Sequence, residues 1–121
     1  MDKIIKIDDK EVGFRATALT PRFYRHKIGR DIIQDMTYLK KSFEKIQASP
    51  EDLEEARLSV LDLTIFENVS YIMAKQYDGS IAETVEEWLD EFSCFSIYEV
   101  LPSILELWGF NQKTTSKPKK K

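Results

Sequence analysis

The sequence predicts a mainly α fold, with an N-terminal β-hairpin packed on a small bundle of about four to five helices. Three observations predict it. Apolar residues alternate with polar ones at the N-terminus but recur every three or four residues from Tyr24 onward, so the period changes from two to 3.6 near Thr20. Thr20-Pro21 and Ser49-Pro50 carry helix-start chemistry at the head of the two longest apolar stripes. The 121 residues, 42% hydrophobic and 32% charged, suit one domain with a real core. Residues 1–112 are expected to form that domain, and the lysine-rich residues 113–121, with nothing apolar to bury, a disordered tail.

Ile5 and Ile7 alternate with Lys6 and Asp8, Asp8-Asp9-Lys10 supplies turn chemistry, and Val12, Phe14 and Ala16 resume the alternation. This predicts a hairpin over residues 3–16. A lone two-stranded hairpin is marginal in water, so its apolar face should rest on the helices that follow.

Thr20-Pro21 reads as an N-cap followed by proline at the first helical position, where a missing N–H costs nothing. Tyr24, Ile28, Ile32, Met36, Leu39, Phe43 and Ile46 then trace one face of a long amphipathic helix. Gly29 inside it costs about 1 kcal/mol relative to alanine and reads as close packing or a slight bend rather than a break. Ser49-Pro50-Glu51-Asp52 repeats the start signal, with carboxylates near the positive end of a helix dipole. Leu58, Leu61, Ile65, Val69 and Ile72 continue a helical stripe, but Val60, Asp62 and Thr64 are poorer helix formers, so the segment is one helix or two meeting near Asp62.

Tyr77-Asp78-Gly79-Ser80 predicts a turn. Thr84 with Glu87 forms a capping box before a short helix whose apolar face is Trp88, Phe92 and Phe95, and Ser96 with Glu99 is a candidate for another. Pro102 requires the last helix either to kink or to begin just before it. Leu101, Leu105 and Trp108 share a face, and Gly109 is a natural stop.

The net charge of −3 conceals two poles. Five lysines (Lys113, Lys117, Lys119, Lys120 and Lys121) follow Asn111, so the body sets 13 basic side chains against 21 acidic ones. Arg15, Arg22, Arg25, Lys27 and Arg30 crowd one segment, while Glu51, Asp52, Glu54 and Glu55 and then Glu83, Glu86, Glu87, Asp90 and Glu91 crowd others. Such bipolarity favours head-to-tail self-association or an oppositely charged partner. No apolar run approaches the roughly 18 residues of a membrane span, and Met1-Asp2-Lys3 opens no apolar leader, so a cytosolic protein is expected. The single Cys94 has no partner for an internal disulfide.

Catalysis near neutral pH asks for a nucleophile with a base, two differently placed carboxylates, or a metal. His26 sits among Arg25, Lys27 and Arg30 rather than beside an acid and reads as a surface residue; Cys94, between Phe92 and Phe95, reads as core. Glu86, Glu87, Asp90 and Glu91 are two pairs spaced one helical turn apart, a pattern that solvated faces produce far more often than metal sites. The four glycines are too dispersed for a phosphate loop. The cluster from Arg22 to Arg30 could neutralise phosphates, but Asp31, Asp35 and Glu44 follow it and the acidic body would repel a duplex. No enzyme, cofactor or metal is expected, and nucleic acid is an improbable partner.

Four stretches carry a resemblance. Val12-Gly13-Phe14-Arg15-Ala16-Thr17, Pro21-Arg22-Phe23-Tyr24-Arg25, Glu67 through Lys75 (Glu-Asn-Val-Ser-Tyr-Ile-Met-Ala-Lys), and Glu87-Trp88-Leu89-Asp90-Glu91-Phe92 resemble the tail assembly chaperones of Gram-positive phages and prophages with long non-contractile tails. The resemblance implies a protein of the bacterial host cytoplasm that binds the helical tape measure protein, helps recruit tail tube subunits and is left out of the virion. It also implies a short form, whose Lys119-Lys120-Lys121 end could be encoded by a slippery adenine run that yields a longer frameshifted product. Capture of amphipathic helices asks for apolar grooves with charged rims. On that basis the candidate partner-binding residues are Arg22, Arg25 and Arg30 at the basic pole, and Glu87, Trp88, Glu91 and Phe92 at the acidic one.

Overall fold

The computed structural model describes residues 1–48 and 59–109, the side chains of 46–48 excepted. Two strands, β1 (Asp2–Ile7) and β2 (Lys10–Arg15), precede five helices among the described residues: α1 (Thr20–Ile28), α2 (Ile32–Ala48), α3 (Val60–Tyr77), α4 (Val85–Leu89) and α5 (Ile97–Trp108). The fold is mainly helical with an N-terminal antiparallel hairpin, as the change of period predicts.

The hairpin pairs Asp2 with Arg15 at its open end and Ile7 with Lys10 at its turn. Asp8 and Asp9 form the two-residue connection at φ 54° and 66°. Positive φ at both positions gives a turn whose twist matches the strands. Asp8 is also held from outside the hairpin: its carboxylate accepts the Ser93 backbone N–H at 2.7 Å and the Ser93 hydroxyl at 3.0 Å, which keeps the carboxyl below the usual range. Ile7 and Phe14 are buried and Ile5, Val12 and Ala16 pack at the core margin, so the alternating face lies inward.

The long helix expected from Thr20 to Ile46 is two helices. Gly29 adopts the left-handed region at φ 85° and its N–H caps α1 through Arg25. Asp31 then opens α2, its carboxylate accepting the Ile33 N–H at 2.9 Å. The break spans only three residues, so the stripe keeps its phase: Tyr24, Ile32, Met36, Leu39 and Phe43 are all buried. A glycine followed two residues later by aspartate is a stop and a start signal in succession. Thr20 does not cap α1 either; Leu19 holds that position, and the buried Thr20 hydroxyl accepts the Thr17 N–H and donates to Gln76 at 2.7 Å.

The start signal at Ser49-Pro50 and the apolar Leu58 lie outside the described residues. Beyond them α3 runs uninterrupted from Val60 to Tyr77, with Asp62 in its first turn. Ser59 and Asp62 form a reciprocal capping box: the Ser59 hydroxyl oxygen accepts the Asp62 N–H, and the Asp62 carboxylate accepts the Ser59 N–H. Leu61, in the first turn, is exposed, whereas Ile65, Phe66, Val69, Tyr71, Ile72, Met73 and Ala74 are buried. A helix apolar around most of its circumference belongs inside a domain. It is the hub of this one, touching β2 and each of the other four helices.

The turn after Tyr77 forms as expected, with the Asp78 carboxylate accepting the Ser80 N–H and hydroxyl. Lys75 ties the loop down, donating to the carbonyls of Gly79 and Ile81 and to Glu83. The Thr84 hydroxyl caps α4, but that helix ends at Leu89, so Phe92 and Phe95 lie in the following loop and not on its face. Ser96 stands at the N-cap of α5 without a side-chain bond, and Pro102 falls inside the helix rather than at its head. The bond proline removes is that to the carbonyl of Tyr98, a residue on the exposed face. Gly109, at φ 99°, ends α5 as expected.

Candidate partner-binding surfaces

The basic pole lies on α1. Arg22, Arg25, His26 and Lys27 are exposed, and Arg22, Arg25 and His26 line one shallow hollow. Arg30 does not belong with them as a free cation. Its guanidinium donates two bonds of 2.8 Å to Asp35, which also accepts the buried Tyr24 hydroxyl at 2.8 Å. Burial pushes the Asp35 carboxyl up, yet the bonds from Arg30 and Tyr24 outweigh it and hold the group below the usual carboxylate range. Burial and the bond to Asp35 push the Tyr24 phenol up. Arg30 therefore braces α1 against α2, with half of its side chain still exposed.

At the acidic pole the sequence has no lysine or arginine between Lys75 and Lys113, against eight carboxylates from Asp78 to Glu106. Glu86, Glu87, Asp90 and Glu91 are exposed. Because α4 stops at Leu89, Glu91 is not stacked one helical turn above Glu87. Among the described residues no three His, Cys, Asp or Glu side chains gather closely enough to hold a metal ion.

Trp88, expected at the partner surface, is buried at the centre of the core. It is 2% exposed, and its ring lies 5.2 to 6.5 Å from Phe14, Tyr71, Phe92 and Phe95 in edge-on arrangements. Such geometry sets ring edges against the faces of neighbouring π-systems. Phe92 is half-buried, so one side of it reaches the surface while the other supports Trp88. Cys94, expected in the core, is exposed instead: Phe92 and Phe95 on either side turn inward, and the residue between them is left outward.

A further surface brings together residues distant in the chain. A groove of about 320 Å³ lies between β2 and the segment after α3. Glu11, Val12 and Gly13, with Ile4 of β1, line one side, Ala74, Tyr77, Asp78 and Ile81 the other, and Trp88 and Phe92 the base, with Glu91 at its margin. Lys10 spans one end, its ammonium donating to the Glu91 carbonyl and standing 5.2 Å over the Phe92 ring. At the other end the Arg15 guanidinium lies 5.5 Å over the Tyr77 ring. A Cβ at Gly13 would stand 2.1 Å from Tyr77, so the glycine is what lets the ring cross the strand.

No family model, curated protein or solved structure matches this chain.

Of the sequence-derived candidates, the structure keeps Arg22, Arg25, Glu87 and Glu91 at the surface and Phe92 at its margin. It assigns Arg30 to an ion pair and Trp88 to the core. The groove escaped sequence reasoning because its walls come from residues distant in the chain. The available signal was Gly13, since glycine inside an alternating strand marks a close approach of something else.

Proposed function

We propose that this chain is a tail assembly chaperone of a long-tailed, non-contractile phage or prophage, binding the tape measure protein and helping to recruit tail tube subunits in the host cytoplasm without entering the virion. The observation that carries the reading is the resemblance of the four stretches at residues 12–17, 21–25, 67–75 and 87–92. What supports it is their placement: β2, α1 and α4 all touch α3, so the four form one packed unit rather than scattered likenesses. The chain acts as a binding protein and not as an enzyme. Its separated charge poles suit a partner with alternating charge, whose long helices expose apolar faces until the tube closes around them.

Co-expression with helical fragments of the cognate tape measure protein tests this. The fragments should remain soluble and copurify, because the chaperone covers faces that otherwise associate with each other. If they aggregate as they do alone at every stoichiometry, the reading is wrong. The exposed Arg22, Arg25, His26 and Lys27 favour one second reading, a nucleic-acid-binding regulator. Tight retention of DNA or RNA that collapses with added salt would select it, since phosphate contacts release counterions.

A further inference from the structure

Each strand of the hairpin has an outer edge whose backbone groups are not spent on its partner strand, and that of β2 borders the groove. Met1 and Ala16 exchange two backbone bonds, the Ala16 N–H donating to Met1 at 2.9 Å and the Met1 ammonium to Ala16 at 3.1 Å. In an antiparallel ladder, bonded and non-bonded pairs alternate. The register therefore makes Phe14 with Lys3, Val12 with Ile5 and Lys10 with Ile7 the bonded pairs, and Gly13 with Ile4 and Glu11 with Lys6 the non-bonded ones. The N–H and C=O groups of Glu11 and Gly13 point away from β1, toward the groove these residues line. Among the described residues no strand pairs with that edge.

The groove beside it has the two features that select a strand rather than a helix. It is short, bounded by the Lys10–Glu91 strap at one end and the Arg15–Tyr77 stack at the other. Residues 10 to 13 give it a length of roughly 10 Å at about 3.3 Å per residue, room for three or four extended residues and less than two turns of helix. Its lining combines apolar side chains, among them Ile4, Val12, Ile81, Trp88 and Phe92, with the carboxylates of Glu11, Asp78 and Glu91. Lys10 is the one lysine or arginine in the lining, and it is engaged by the Glu91 carbonyl and the Phe92 ring. The carboxylate excess calls for a cationic occupant, and the apolar base calls for a hydrophobic side chain between the cations.

We infer that the outer edge of β2 is a docking site for an extended segment of another protein in which lysine or arginine alternates with an aliphatic residue, bound by strand addition to Glu11 and Gly13. The aliphatic side chain enters the groove against Ile81 and Phe92, and the flanking cations meet Glu11, Asp78 and Glu91. Gly13 serves the site by admitting Tyr77, which forms the wall. This site is independent of helix capture, since it recognises backbone and not an amphipathic face.

The test uses the full chain and a capped Lys-Val-Lys-Val-Lys peptide, followed through backbone amide resonances. Saturable shifts should centre on Glu11, Gly13, Ile81 and the Trp88 indole, and hydrogen exchange at the Gly13 amide should slow at least fivefold. The same peptide methylated on the central amide nitrogen should bind at least tenfold more weakly, and Glu-Val-Glu-Val-Glu should not saturate. A Glu11→Lys, Glu91→Lys double variant, both positions being exposed, should lose at least tenfold in affinity with its melting curve kept as a check on folding. Equal binding of the acidic peptide, indifference to N-methylation, or shifts that spare Glu11 and Gly13 would overturn the inference. So would a lack of saturation at millimolar peptide. Tape measure fragments that stay insoluble while the basic peptide still binds here would remove the chaperone reading and leave this one standing.

Discussion

Tyr77 occupies the space a side chain at residue 13 would need, and that single contact fixes both residues. Gly13→Ala should destabilise the fold by about 1–2 kcal/mol, the range for overpacking when the neighbour is a ring able to swing outward. Adding Tyr77→Ala should recover part of the loss, which chemical denaturation of the single and double variants would measure; a neutral Gly13→Ala would refute the contact. Asp35 makes a second residue-scale case. Its folded carboxyl titrates below its unfolded value, so its contribution is present above about pH 4. As pH falls, the unfolded chain takes the proton first, and the contribution is lost on the way down to the lower folded value. Asp35→Ala should cost about 3 kcal/mol, the low end for breaking a buried pair because Arg30 is half exposed. Melting curves of this variant should show a flatter acid limb than those of the parent chain. The sequence marked Arg30 as a cation but not its employment, because a side chain's charge is local information and its partner across a helix break is not.

Among the elements, the stripe from Tyr24 to Phe43 was readable to the residue, yet the continuity inferred from it was wrong. Periodicity reports which face is buried and survives a three-residue break that preserves phase; backbone chemistry reports where a helix ends. Gly29→Ala decides between the two descriptions by sign. In a continuous helix alanine would stabilise by about 1 kcal/mol. At φ 85°, with the glycine capping α1, it should destabilise by about that amount, as thermal melts would show. Ser59→Ala likewise tests the start of α3: losing the hydroxyl of the capping box should cost about 1 kcal/mol, and no loss would mean the cap is idle. That box is legible in the Ser59-Val60-Leu61-Asp62 spacing only once the poor helix formers nearby are read as a beginning instead of a flaw. The hairpin and its turn were fully legible, since alternation and an Asp-Asp pair are short-range signals.

For the molecule as a whole, the charge poles were legible from counting, whereas the aromatic centre was not. Trp88 and Phe92 are four residues apart and looked equivalent, but Trp88 is enclosed by rings from β2, α3 and the loop before α5. Only the tertiary arrangement separates core from margin. If the poles steer the tape measure protein, reversing Arg22 and Arg25 together should slow association several-fold and leave dissociation nearly unchanged, as surface-binding kinetics would report. A change confined to the dissociation rate would place those arginines in a desolvated contact instead.

The hairpin is held by residues that follow it far along the chain. Lys3 bonds Glu106 at 2.6 Å, and Asp8 bonds Ser93, separations of 103 and 85 residues. Closing such long loops costs entropy that no local contact offsets beforehand, and two strands alone are marginal. During synthesis the segment with Ile5, Ile7 and Val12 must wait in an unfinished chain with its apolar face uncovered. The hairpin's tertiary bonds therefore wait for residues 93 and 106, and a chain cut before α5 should be an aggregation-prone fragment rather than a smaller domain.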